Sequence, residues 1–308
     1  MLNVSHVTKK YGKVLACDDL SFHLDPGTVT VLLGPNGAGK STIIKAMIGF
    51  LKYEGEITVK NFSNKTPQAR RMIGYIPEMP SLYPNLTVSE HMEFIARAYK
   101  LGGNVGHNSG NAGSNSKNAG RRSVHFDAQR AGRTSSYQAR IDELFERFEL
   151  SDKRKKFGDE LSKGMQQKLN ICLGLLPDPQ VLLLDEPMIG LDPHAIKELK
   201  LLIEEMRQEG KTILVSTHMI DSVDMLWDRT IIMKEGKIQA NLTRDELAAD
   251  GRSLEQLFFD ITEGSDSGDA SADAAESGDG SSGQYAESSD VHRGSVSRRE
   301  GSEEGRKQ

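Results

Sequence analysis

Gly34, Pro35, Asn36, Gly37, Ala38, Gly39, Lys40, Ser41 and Thr42 follow one another as GPNGAGKST, which satisfies the spacing G-x-x-x-x-G-K-[ST]. Glycines at these positions let the backbone wrap closely round phosphate oxygens with its N–H groups turned inward. Lys40 is spaced to reach β- and γ-phosphates, and the Ser41 hydroxyl to ligate Mg²⁺. Alone, such a run also describes an ordinary glycine-rich turn. Far downstream, VLLLDEP (181–187) delivers Asp185 and Glu186 directly after an apolar run. Asp185 is suited to the hydration shell of Mg²⁺, and Glu186 to orienting and deprotonating an attacking water. Two acids capping a strand are unremarkable in isolation; beside a phosphate loop they become a second half of the same chemistry.

Three further positions have both a plain and a chemical reading. Ser162, in LSKGMQQK (161–168), precedes a helical run containing Leu169, Ile171 and Leu173. That is a capped helix start, which can also bind an anion. Taken alone, the structural cap is the favoured reading. His218 follows TILVS and Thr217; a histidine at a strand end is usually structural, but here it could hydrogen-bond a γ-phosphate. Tyr11, in VTKKYGK, could stack on a purine base or simply be an aromatic on an edge strand.

The elements needed to hold these residues are written in the hydrophobic pattern. Residues 29–33 (VTVLL) form a short apolar run, as expected of a strand buried on both faces, and lead straight into the phosphate loop. Ile43, Ile44, Met47, Ile48 and Leu51 then recur at helical spacing. Thr87 and Glu90 form a capping box for a helix with Met92, Ile95 and Tyr99 inward. Ile141, Leu144, Phe145 and Phe148 repeat the helical period. Residues 181–184 and 212–216 read as buried strands, with a helix over 195–208 between them whose stripe is Ile196, Leu199, Ile203 and Met206. A further strand over 230–233 turns at Glu235-Gly236 into 237–239, a hairpin. Apolar strands alternating with amphipathic helices predict an α/β fold with a mainly parallel sheet covered by helices.

Composition bounds the rest. Only 37 % of the 308 residues are hydrophobic, and two segments account for much of that low value. Residues 102–137 are mostly Gly, Asn, Ser and Arg, and 263–308 mostly Ser, Gly, Asp, Glu and Arg. Neither can bury enough apolar surface to offset the entropy of ordering it, so both are expected to be disordered or mobile. The second carries 11 acidic and five basic residues, against 44 and 39 in the whole chain, which leaves everything before it near neutral. A near-neutral core is not that of a bulk nucleic-acid binder, so no direct nucleic-acid contact is expected. Cys17 and Cys172 have no metal-ligand spacing and are expected to be buried thiols. No apolar run approaches the ~20 residues of a membrane span, and the amino terminus lacks a signal-peptide pattern.

In its order of motifs, the chain resembles the nucleotide-binding subunits of ABC transporters over nearly all of 1–261, the 102–137 segment excepted. Residues 34–42 match that family's Walker A loop and 161–165 its signature. Residues 181–186 match Walker B, Gly190-Leu191-Asp192 the D-loop, His218 the switch histidine, and Tyr11 the adenine-stacking aromatic. The resemblance implies a P-loop ATPase domain over 1–262 with an antiparallel β subdomain and a helical signature subdomain. It implies ATP hydrolysis by Glu186, Lys40 and His218, with Mg²⁺ held by Ser41, Asp185 and Glu78. It further implies that Ser162 and Gly164 contact the γ-phosphate of a second nucleotide-binding subunit, a copy or a paralogue. Residues 78–99 would contact a transmembrane permease, which places the chain on the cytoplasmic face of the cell membrane.

This sequence departs from the family pattern in two places. LSKGM stands for LSGGQ, so Lys163 and Met165 replace a glycine and the glutamine. Glu78, in IGYIPE, stands where most of the family has glutamine, turning a donor-acceptor amide into a carboxylate that only accepts. Together with LYPNLTVSEH and SLEQLFFDIT, these departures resemble the type-2 exporter branch. A soluble ABC ATPase working on ribosomes or DNA is the competing expectation. Such members carry two halves on one chain, coiled coils or zinc modules, and this sequence has one half, no heptads and no cysteine cluster.

Overall fold

A computed structural model describes residues 1–101, 136–223 and 226–263. The expectations for 102–137 and 263–308 fall on residues outside these, except at their borders. There, helix α4 (Ser136–Arg147) begins and helix α8 (Leu254–Glu263) ends.

Six strands make the central sheet: β3 (Val29–Leu33), β6 (Ile73–Ile76), β7 (Val181–Asp185), β8 (Thr212–Thr217), β9 (Arg229–Lys234) and β10 (Lys237–Thr243). Their order is β10-β9-β3-β8-β7-β6. All pairs are parallel except the β9–β10 hairpin. That hairpin turns at Glu235 and Gly236, both with positive φ (51° and 76°), as a tight turn matched to strand twist requires. Every residue of β3, β7 and β8 is buried, which explains why they read as unbroken apolar runs and not as alternation. A second, antiparallel sheet of β1 (Leu2–Tyr11), β2 (Val14–Leu24), β4 (Glu54–Val59) and β5 (Phe62–Ser63) has the order β2-β1-β4-β5. Its buried Leu2, Val4, Leu20 and Leu24 join Ile43, Ile44 and Met47 in one core cluster.

Helix α1 (Lys40–Met47) emerges from the phosphate loop and is shorter than the apolar spacing predicts. Ile48 caps it, Gly49 turns away at φ 76°, and Leu51 lies outside the helix. The short α2 (Pro67–Met72) leads into β6. Helix α3 (Val88–Ala98) opens with the expected capping box: Glu90 N–H donates to Thr87 Oγ1 (3.2 Å) and Thr87 N–H to Glu90 Oε2 (2.8 Å). Helix α5 (Lys163–Leu175) is capped by Ser162, and α6 (Pro193–Gln208) by Asp192. On α6 the buried positions are Ala195, Leu199, Leu202, Ile203 and Met206, with Ile196 at the edge of the stripe. The larger core gathers α3, α4, α5 and α6 around Phe145, Phe148 and Leu169 and onto the sheet. Helices α7 (Arg244–Ala249) and α8 close the described chain, the latter through Leu254 and Leu257. Both cysteines are free and buried, as expected, and burial pushes the Cys17 thiol up to about 12.

Candidate active site

Register in the central sheet brings the separated motifs to one edge. Leu33 pairs with Thr217, and Asp185 with Ser216. The residues that leave these strands, Gly34, Glu186 and His218, therefore emerge side by side at the carboxyl ends, where open α/β sheets place ligands. Gly34 and Gly39 are required by close approach as well as by φ (156° and 102°). A Cβ on Gly34 would collide with Met233 O, and one on Gly39 with Ala16 O. Gly39 also starts α1, so the unpaired N–H groups of the first helical turn face the space the loop encloses.

An open cavity of about 370 Å³ lies there, lined by the whole of 35–42 together with Ala16, Glu78, Glu186 and His218. Lys40 is buried, and its Nζ donates to Gly34 O (2.6 Å) and lies 3.7 Å from Glu186 Oε1. Burial lowers its pKa below the ordinary lysine value, against the opposing pull of Glu186, Asp185 and Glu78. The Glu186 carboxylate is held from the other side by His218, whose Nδ1 is 2.9 Å from Oε1 and whose backbone N–H donates to Oε2 (3.4 Å). Asp185 Oδ1 accepts from Ser41 Oγ (3.1 Å) and Ser216 Oγ (2.7 Å). The groups that the family resemblance assigns to Mg²⁺, the Ser41 hydroxyl and the Asp185 and Glu78 carboxylates, offer only oxygen; Ser41 and Glu78 line the cavity, and Asp185 is bonded to Ser41. A hard-oxygen set with room for further oxygen ligands suits Mg²⁺.

The structure gathers the loop, Glu78, Asp185, Glu186 and His218 at one place. It does not bring Tyr11, Ser162 or Gly164 there. Tyr11 ends β1 with its ring exposed and the Lys9 ammonium 4.8 Å from the ring centroid; Ala16 is the β2 residue on the cavity wall. Ser162 caps α5 and is exposed, and Gly164, in the first turn of that helix, lies against Gly190 O. Ser216 was missed by sequence reasoning. It reads as one more residue of a buried strand, and only the pairing of β7 with β8 sets its hydroxyl against Asp185 and, at 3.2 Å, the Glu186 N–H.

A parallel sheet that presents a phosphate loop, a buried lysine and a carboxylate pair at its carboxyl edge defines a nucleoside-triphosphate hydrolase of the P-loop class. The family described as ABC transporter matches residues 17–189, and the chain belongs to it. The ABC-type transporter ATP-binding protein EcsA of Bacillus subtilis is 30 % identical over 269 residues, 85 % of this chain and 96 % of that one. A solved ATP-binding subunit of an ABC transporter superposes with a TM-score of 0.72 at 30 % identity, covering 85 % of this chain and all of that one. The dimeric cassette MJ0796, solved after hydrolysis with ADP and Pi, superposes at 0.62 with 25 % identity, covering 79 % and 98 %. The chain is an ATP-binding, ATP-hydrolysing subunit of an ABC transporter. The ribosome- or DNA-directed alternative finds no support among these matches.

Proposed function

We propose that two nucleotide-binding chains, two copies or a copy and a paralogue, close head to tail on ATP and Mg²⁺ and so drive a separate transmembrane permease. One observation carries this reading. The cavity holds the loop, Glu186 and His218, while Ser162 and Gly164, which the family resemblance assigns to the same phosphate, lie elsewhere on the chain. A second subunit supplies them.

Within the site, each residue has work its position allows. Lys40 exchanges its bond to Gly34 O for phosphate oxygens, and the loop N–H groups stabilise the charge that develops on the transferred group. Glu186 accepts the proton of the attacking water, oriented by His218, which also reaches the γ-phosphate. Ser41, Asp185 and Glu78 would hold Mg²⁺, which when bound neutralises phosphate charge. Tyr11 stacks on adenine from the end of β1. For the permease, residues 78–99 offer Met79, Tyr83 and Phe94, large apolar side chains that are exposed and close together in sequence; the Tyr83 and Phe94 rings meet edge-on at 5.6 Å. No described helix is long and apolar enough to cross a membrane, so this contact is what would fix the chain to the inner face of the cell membrane. The LSKGM and IPE departures support export as the direction.

Glu186→Gln tests the assignment. Turnover should fall by roughly 10²- to 10⁴-fold, the usual value of a positioned general base. ATP binding and ATP-dependent dimerisation should persist. Turnover near that of the unaltered chain would remove Glu186 from its role, and a variant that binds ATP but stays monomeric would remove the shared site.

A further inference from the structure

Lys168 lies in the second turn of α5 with 7 % of its surface exposed, yet carries a charge. Its Nζ is 2.8 Å from Asp192 Oδ2 and 3.0 Å from Glu149 Oε2. Burial acts against that charge, but the bonds to Asp192 and Glu149 outweigh it, so its pKa is raised. His194 approaches the same two carboxylates, but the ammonium already bridges them, and the trio is not a cation site.

The neighbours of Lys168 explain what the bridge holds. Asp192 uses its other oxygen, Oδ1, to cap α6 through Ala195 N–H (2.9 Å). One residue before Lys168, Gln167 Nε2 donates to Pro187 O (3.3 Å). A turn earlier, Gly164 lies so close to the chain that a Cβ there would sit 2.9 Å from Gly190 O. The start of α5 is therefore laid along 187–192, the segment that runs from Glu186 into α6. The bridge is a poor source of stability, because Lys168 is buried while the Asp192 and Glu149 carboxylates stay about half exposed, so burial costs the ammonium its water and solvent screens its partners. What it supplies is a fixed direction between the two segments it joins.

We infer that Lys168 is a positioning residue that locks Ser162 and Gly164 to the segment leaving Glu186, so that the phosphate site of one subunit and the residues it lends to its partner move as one piece. This rests on the shared-site reading above. The link runs through backbone next to the site, with no group of Lys168 near the cavity.

The test joins two full-length copies by a flexible linker, with Glu186→Gln in one copy. The single competent site then uses the other copy's phosphate loop and the altered copy's Ser162. Lys168→Met added to the Glu186→Gln copy should lower turnover by roughly ten- to a hundredfold, the scale of a small misplacement in a positioned site. ATP binding by that copy's own loop should be unchanged, and Lys168→Arg at the same place should recover most of the rate. Asp192→Asn, which keeps the cap and removes the charge, should reproduce the loss if Lys168→Met does not fold. Ser162→Ala in the same copy is the control. If Ser162→Ala lowers turnover and neither Lys168→Met nor Asp192→Asn does, the inference about Lys168 is wrong and the shared site stands. Loss of ATP binding by the substituted copy would reduce Lys168 to a folding role and overturn the inference. If Ser162→Ala in that copy has no effect, the shared site itself is wrong and the inference falls with it.

Discussion

Glu186 has a φ of 47°, in the left-handed region that a non-glycine residue occupies at a cost of order 1–3 kcal/mol. What keeps it there is visible: its N–H is shared between Ser216 O (3.1 Å) and Ser216 Oγ (3.2 Å), and its carboxylate is gripped by His218. Ser216 thus sets the backbone of one carboxylate residue and, through its bond to Asp185 Oδ1, the side chain of the other. Removing the hydroxyl leaves the strand and the cavity wall in place but frees the Asp185 carboxylate to reorient and takes from the Glu186 N–H one of its two acceptors. Ser216→Ala should lower kcat by roughly 10- to 100-fold, as losses behind a metal or catalytic ligand usually do. The apparent Mg²⁺ requirement should rise at unchanged ATP affinity, and Ser216→Thr, which keeps a hydroxyl, should be the milder change. Steady-state kinetics across a Mg²⁺ series checks it; an unaltered Mg²⁺ dependence would remove Ser216 from this role. Lys40, Asp185 and Glu186 were legible in the sequence because their motifs are contiguous with the strands that carry them. Ser216 was not, because its meaning lies in a register with a strand 31 residues away.

Among the elements, α3 is where local signals and tertiary context part company. Its start was readable, since a capping box is made by residues three apart. Helical spacing predicts Met92, Ile95 and Tyr99 inward; of these Met92 alone is fully buried, and beside it His91 is only 3 % exposed. A histidine can take that place because both ring nitrogens are used. Nδ1–H donates to Thr87 O (2.8 Å), and Nε2 accepts from Tyr83 N–H (2.9 Å), which fixes the neutral tautomer. The same logic explains α1, where apolar spacing ran on to Leu51 but Gly49 ended the helix. Burial lowers the His91 pKa below its ordinary 6.5, opposed by the bond to Thr87 and the charge of Glu90. The sign follows. Below 6.5 the unfolded chain takes up the proton before the folded one, so the His91 contribution to stability is complete above 6.5 and is lost as pH falls toward the folded value. Protonation would also turn Nε2 into a donor facing a donor, loosening Tyr83 and the apolar surface offered to the permease. Thermal midpoints should therefore fall between pH 7 and 5, and His91→Gln, though less stable at pH 7, should show a flatter slope. Equal slopes for the two proteins would assign the pH dependence elsewhere.

For the molecule as a whole, the described residues form an ABC cassette, and the two low-complexity stretches fall outside them. On either side of 102–135, Leu101 and Tyr137 both pack against the core cluster built round Phe145 and Leu169. At the other border, the Lys234 ammonium donates to Ile261 O (3.3 Å) and Thr262 O (3.1 Å), so α8 is anchored before 264–308 begin. Among the described residues, the contacts that assemble the cavity run from Gly34 to His218. Shortening a connection changes its closure entropy only slowly, by about 0.6 kcal/mol per halving of length. We therefore predict that a chain lacking 264–308, with 103–135 replaced by a short Gly-Ser linker, keeps cooperative thermal unfolding and most of its ATP turnover. If turnover survives but coupling to a co-purified permease is lost, the stretches serve the transport complex and not the ATPase. If the shortened chain fails to fold, one of them is part of the domain, and the boundary read from composition is wrong.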